Sequence, residues 1–154
     1  MRLCKTKKAV SVFVIGLLLL FLSGCGGGSA SDIDVLEIDE QSFVLRMMDV
    51  FFSPDDYLGR TIRYEGLFRT LDIPVVGYIH QVYRYTLGCC GPDGVIGLDV
   101  RLDRANVEPF NDGAWVRVEG VLEEFSEMGQ TLLRLDVVLI EELEERGLEF
   151  VTAR

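Results

Sequence analysis

The sequence predicts a mainly-β domain, a five-stranded OB-fold-like barrel preceded by one amphipathic helix. Three observations predict it. Beyond residue 60 apolar residues recur at every second position in several segments, the period of a strand with one buried face. Turn residues separate most of these segments: Gly91-Pro92-Asp93-Gly94, Asn111-Asp112-Gly113 and Met128-Gly129-Gln130. Glycines fall inside the first and fourth segments, at Gly66 and Gly120, where a small closed barrel must coil tightly. A two-sheet sandwich is the alternative architecture.

The helix is expected over Glu40–Phe52. Phe43, Met47, Val50 and Phe51 recur at i, i+4, i+7 and i+8, and Val44 and Met48 widen the stripe. Asp39 or Ser42 would cap its start, and Pro54 stops it. The first strand is Thr61–Arg69, with Ile62, Tyr64, Gly66 and Phe68 on one face. Gln81–Leu87, rich in aromatic and β-branched residues, is the second. Val95–Leu102, Trp115–Glu123 and Thr131–Glu141 alternate in the same way and complete the five. A short crossing segment, Asp103–Phe110, joins the third strand to the fourth. Five strands in this order fit an OB-fold. The helix then packs on the barrel or covers one end.

The residues ahead of this domain have a different character. Arg2, Lys5, Lys7 and Lys8 precede an apolar run from Ala9 to Leu22, and Leu22-Ser23-Gly24-Cys25 follows. That run is shorter than the roughly 20 residues a bilayer core needs. The segment resembles the signal peptide of a bacterial lipoprotein, with Leu-Ser-Gly-Cys close to a lipobox. The resemblance implies that Cys25 is thioether-linked to a diacylglyceryl group and becomes the first mature residue. It also implies a cell-membrane protein, lipid-anchored on the extracytoplasmic face. The expected organisation is a signal peptide over 1–24, a lipidated cysteine and flexible tether over 25–38, and the helix-plus-barrel domain over 39–154. Gly26-Gly27-Gly28-Ser29-Ala30-Ser31 is a spacer that reaches about 13 Å as a random coil.

Charge narrows the function classes. Four of the 15 basic residues lie in the first eight positions, which leaves 11 against 25 acidic ones, a balance of −14. Such a surface repels nucleic acid and anionic lipid headgroups. No nucleic-acid partner is expected, and acyl chains rather than charge must hold the protein to a membrane. The chain has a single histidine and neither an HExxH motif nor a phosphate-cradling glycine loop, so it does not read as an enzyme. Tyr78, Tyr83, Tyr85 and Trp115 would serve to stack a sugar or peptide.

Cysteine usage supplies the sharpest feature. Cys4 leaves with the signal and Cys25 carries the lipid, so the adjacent pair Cys89-Cys90 remains in the domain. In extended chain adjacent side chains point to opposite faces. They converge on one ion only if the strand ends at the pair, and Gly88, Gly91 and Pro92 make such a break. Paired thiolates suit Zn(II) or Cu(I). Asp93 and His80 are the candidate further ligands. A strained vicinal disulfide with a redox role, and inert structural cysteines, are the competing readings.

Arg84, Cys89, Cys90 and Asp93 form the pattern Arg-x4-Cys-Cys-x2-Asp. This pattern resembles the C-terminal soluble domain of a bacterial family of predicted permease subunits, in which a two-gene pair encodes a permease and a smaller membrane partner. Pro54-Asp55-Asp56-Tyr57-Leu58-Gly59-Arg60 resembles that family's lead-in to the first strand, and Gly66-Leu67-Phe68-Arg69 the end of it. Asp112-Gly113-Ala114-Trp115-Val116-Arg117-Val118-Glu119-Gly120 resembles its fourth strand. Together the matching pieces span about Phe43 to Ile140. Two departures stand out: a lipid anchor takes the place of the family's N-terminal transmembrane helices, and Pro92 replaces a small residue. The resemblance implies an accessory or ligand-binding subunit of a membrane permease.

Overall fold

The computed structural model describes residues 35–88 and 91–153. The expected signal peptide, Cys25, most of the tether, and the pair Cys89-Cys90 lie outside the described residues.

The described residues form seven strands and one α-helix: β1 (Val35–Ile38), α1 (Phe43–Phe52), β2 (Thr61–Ile73), β3 (Gly77–Gly88), β4 (Gly91–Arg101), β5 (Trp115–Glu127), β6 (Gln130–Glu142) and β7 (Phe150–Val151). The order in the sheet is β1-β2-β5-β6-β4-β3-β7, and a further β2–β3 pairing closes β2 to β6 into a five-stranded barrel. β4 and β6 run parallel, while the other barrel neighbours are antiparallel. The five expected strands are therefore present in an OB-fold-like order. The α-helix precedes the barrel rather than interrupting it.

Closure explains the glycines. A Cβ at Gly66 would stand 2.7 Å from the Tyr83 carbonyl oxygen, and one at Gly120 would stand 2.9 Å from that of Asp136. Gly97, in β4, is tighter still, because its missing Cβ would overlap the Val82 carbonyl and come 2.6 Å from Tyr83 Cα. Adjacent strands approach here more closely than any side chain allows.

Inward residues of all five barrel strands form one core, including Ile62, Tyr64, Phe68, Val82, Leu98, Val116, Leu122 and Leu135. Tyr64 is buried among them, and its polar end is satisfied. Its hydroxyl donates to the Val82 carbonyl at 2.9 Å and accepts from the Leu98 amide at 3.2 Å. Burial pushes this phenol far above its ordinary range. α1 covers the core with Phe43, Val44, Met47 and Val50, each such residue contributing about 1.5–3 kcal/mol of transfer free energy.

Three differences from the sequence reading have local causes. The helix begins at Phe43 rather than Glu40, because Asp39 accepts hydrogen bonds from both the Ser42 amide (2.8 Å) and its hydroxyl (2.9 Å) and holds a turn ahead of it. Met48 and Phe51, expected in the buried stripe, are 40% and 42% exposed, since the face that packs is the narrower one centred on Met47. Residues 35–38, the end of the expected tether, form β1, parallel to β2 with Val35 opposite Thr61 and Ile38 opposite Tyr64.

Candidate functional site

β3 and β4 form a long hairpin whose tip carries the cysteine motif. Gly88 pairs with Gly91, the last pair of the β3–β4 ladder. The segment Gly91-Pro92-Asp93-Gly94, which reads as a turn by composition, is instead the first part of β4. Its irregularity is a bulge: Thr86 pairs with Gly94 and Leu87 with Pro92, which leaves Asp93 as the extra residue. A bulge re-aims the side chain it carries. Here the Asp93 carboxylate lies beside the Gly88 backbone, in the space a Cβ at Gly88 would fill. Gly88 and Asp93 thus fit only as a pair, and the carboxylate sits against the last described residue before Cys89.

The other two candidate residues are not beside Asp93. His80 pairs with Val100 on the same hairpin, eight residues before Gly88, which is about 26 Å of strand. A shared ion at the tip is out of its reach. His80 stacks on Phe68 (5.6 Å between centroids), and its Nδ1 lies 2.9 Å from the Thr70 hydroxyl. Burial lowers its pKa, although Asp103 and Asp112 pull the other way. Among the described residues, no group of three His, Cys, Asp or Glu side chains has the geometry of a metal site.

Arg84 is a structural anchor under the tip. The residue is 1% exposed, and its guanidinium lies over the rings of Phe43 (4.5 Å) and Trp115 (4.9 Å). Nε donates to the Glu65 carbonyl at 2.7 Å and Nη1 to the Leu148 carbonyl at 3.2 Å, with Glu40 3.6 Å away. Burial lowers its pKa, but a guanidinium stays charged. One side chain therefore ties β3 to β2, to the turn before α1 and to the segment leading into β7. β7 lies alongside, with Phe150 opposite Tyr85 and their rings stacked at 5.1 Å.

The far end of the hairpin holds a feature the sequence did not reveal. A cleft of about 740 Å³ opens there, lined by Tyr78, His80, Asp99, Asp103, Phe125 and Arg134 among others. Asp99 accepts from Gln81 Nε2 at 2.6 Å, Gln81 accepts from Arg69 Nε at 2.9 Å, and burial raises the Asp99 pKa. These residues come from four strands and a loop, so no spacing along the chain announces them.

The sequence model of the DUF1980 C-terminal domain, an uncharacterised family, matches residues 28–151. The chain belongs to that family. No curated protein matches it. Among the described residues, no helix is long and apolar enough to cross a membrane.

Proposed function

We propose that this member of the DUF1980 C-terminal domain family is an extracytoplasmic lipoprotein, held to the cell membrane through Cys25, that acts without catalysis as the accessory or ligand-binding subunit of a membrane permease. In this reading Cys89 and Cys90 take a soft metal ion, Zn(II) or Cu(I), with Asp93 as the adjacent oxygen donor.

One observation carries the metal reading: the bulge that sets the Asp93 carboxylate against Gly88 at the end of β3. Strand alternation would separate two adjacent thiols, but β3 ends at Gly88 and β4 resumes at Gly91, so the pair belongs to neither strand. Two thiolates and a carboxylate at one tip suit a labile site more than a closed structural one, which takes four protein ligands. Arg84 holds the base of the tip rigid, which favours a site present before the ligand arrives.

The test is metal titration of the reduced, membrane-extracted protein with thiol counting. The lipidated form should show two free thiols and bind one Zn(II) or Cu(I), and Cys89→Ser should abolish that binding. Asp93→Asn should weaken it, while His80→Asn should leave it unchanged. A reduced protein that binds no metal, with the pair cycling as a disulfide, overturns the reading in favour of thiol redox. A permease encoded beside this chain that co-purifies with it in detergent supports the partner.

A further inference from the structure

We infer that the outer face of α1 docks on the lipid bilayer and fixes the orientation of the barrel at the membrane. This rests on the lipid-anchor reading above. α1 carries apolar residues on both sides, with the exposed Arg46 and Asp49 lying to one side of the outer stripe. Phe43, Val44, Met47 and Val50 pack on the core, while Leu45, Met48 and Phe52 stand out at i, i+3 and i+7, with Phe51 beside them. Their exposures are 50%, 40%, 78% and 42%. A helix that faces only water on its outer side would carry polar residues there.

Chain length selects the bilayer as the occupant. Only nine residues, 26–34, separate the lipidated position from β1, at most about 35 Å of chain. Val35 pairs with Thr61, so the chain enters the domain at the end of β2 where the α1-to-β2 connection also arrives. Phe52 is the last residue of α1 before that connection. Eight residues, 53–60, link Phe52 to Thr61 and include a 3-10 turn, so the apolar end of the helix is one short connection from the strand end at which the chain enters. The helix, about 15 Å long, is short enough to lie within the reach of the anchor. The acidic surface elsewhere disfavours anionic headgroups, so the contact is to neutral lipid through Leu, Met and Phe side chains. A diacyl anchor already supplies affinity; the helix adds orientation.

Tryptophan quenching in the full chain tests this. Trp115 is 1% exposed in the barrel and serves as a silent background. Phe52→Trp is reconstituted into phosphatidylcholine vesicles with brominated or ordinary acyl chains. The added emission should be lost in the brominated vesicles, and Leu45→Glu with Met48→Glu in the same background should restore it. Unquenched emission at position 52 overturns the inference. Blue-shifted but unquenched emission that reverts on dilution assigns the face to a second copy and overturns it equally. An unchanged far-ultraviolet spectrum shows that the variants are folded. The mass of Cys25 from the same preparation scores the anchor separately. A diacylglyceryl adduct with unquenched emission from the introduced indole sinks the docking and leaves the anchor standing, whereas quenching with an unmodified Cys25 does the reverse.

Discussion

Arg84→Met should destabilise the domain by about 2–3 kcal/mol. The wild-type guanidinium donates from Nε to the Glu65 carbonyl (2.7 Å) and from Nη1 to the Leu148 carbonyl (3.2 Å). Hydrogen bonds from a charged donor contribute about 1.5–3 kcal/mol each, and the two ring contacts about 0.5–2 kcal/mol each. Against this stands the cost of burying a cation, several kcal/mol, which the variant escapes. Met fills the slot between Phe43 and Trp115, so no large cavity is left. Leu148 is exposed, so its carbonyl finds water. The Glu65 carbonyl, on a half-buried strand, does not find it as easily, and the net loss is the figure above. In a domain of this size that lowers the thermal midpoint by roughly 6–15 °C. The assay is urea unfolding followed by circular dichroism. Amide exchange should also quicken at Tyr85, whose N–H donates to the Glu149 carbonyl, because the segment before β7 has lost its tie. Arg84→Lys keeps the charge without the fork and should resemble Met more than Arg. A Met variant within about 0.5 kcal/mol of wild type, or a Lys variant as stable as wild type, refutes the account of Arg84 as an anchor.

Further outcomes follow from neighbouring features. Gly97→Ala should cost about 2–4 kcal/mol, since its Cβ would overlap the Val82 carbonyl, whereas Gly94→Ala in the same strand meets only the Thr86 hydroxyl at 3.7 Å and should be near neutral by thermal melting. His80 has a folded pKa below its ordinary value, so the unfolded chain binds its proton first. Stability should be full above about pH 6.5 and fall as the pH drops below it, and His80→Asn should remove that slope in melts taken between pH 5 and 8. Asp99 has its pKa raised by burial, so the folded state holds its proton longer than the unfolded one. Stability from this group is present at low pH and lost as the pH rises through the folded value. Asp99→Asn should therefore match or exceed the wild type at pH 7 and lose that advantage near pH 3.

Much of the barrel was legible because one face of each strand is buried, and burial writes a period of two into the chain. Strand ends were legible only in part. β2 continues past Arg69 to Ile73, paired with β3 through Thr70–His80 and Leu71–Ile79, and its alternating Leu71 and Ile73 were missed because they lie outside the buried core. β1 escaped notice because four residues paired in parallel with a distant strand leave no local signature. Glycine and proline at 91 and 92 read as a turn, yet they open a bulged strand. In the site, the closeness of Asp93 to the cysteine motif was legible from adjacency. The separation of His80 followed only from register, and the anchoring role of Arg84 from three-dimensional packing that joins residues 40, 65 and 148. The cleft around Asp99 and Asp103 was illegible for the same reason.

The parallel pairing of β1 with β2 has a mechanical corollary. A tug on the chain ahead of Val35 runs along the strand axis, so the bonds between the two strands are strained together in shear, not peeled one after another. β2 is itself gripped on both sides within a closed ring. Four residues at the rim therefore act as a strain relief, keeping a pull on the preceding chain from reaching the hairpin tip.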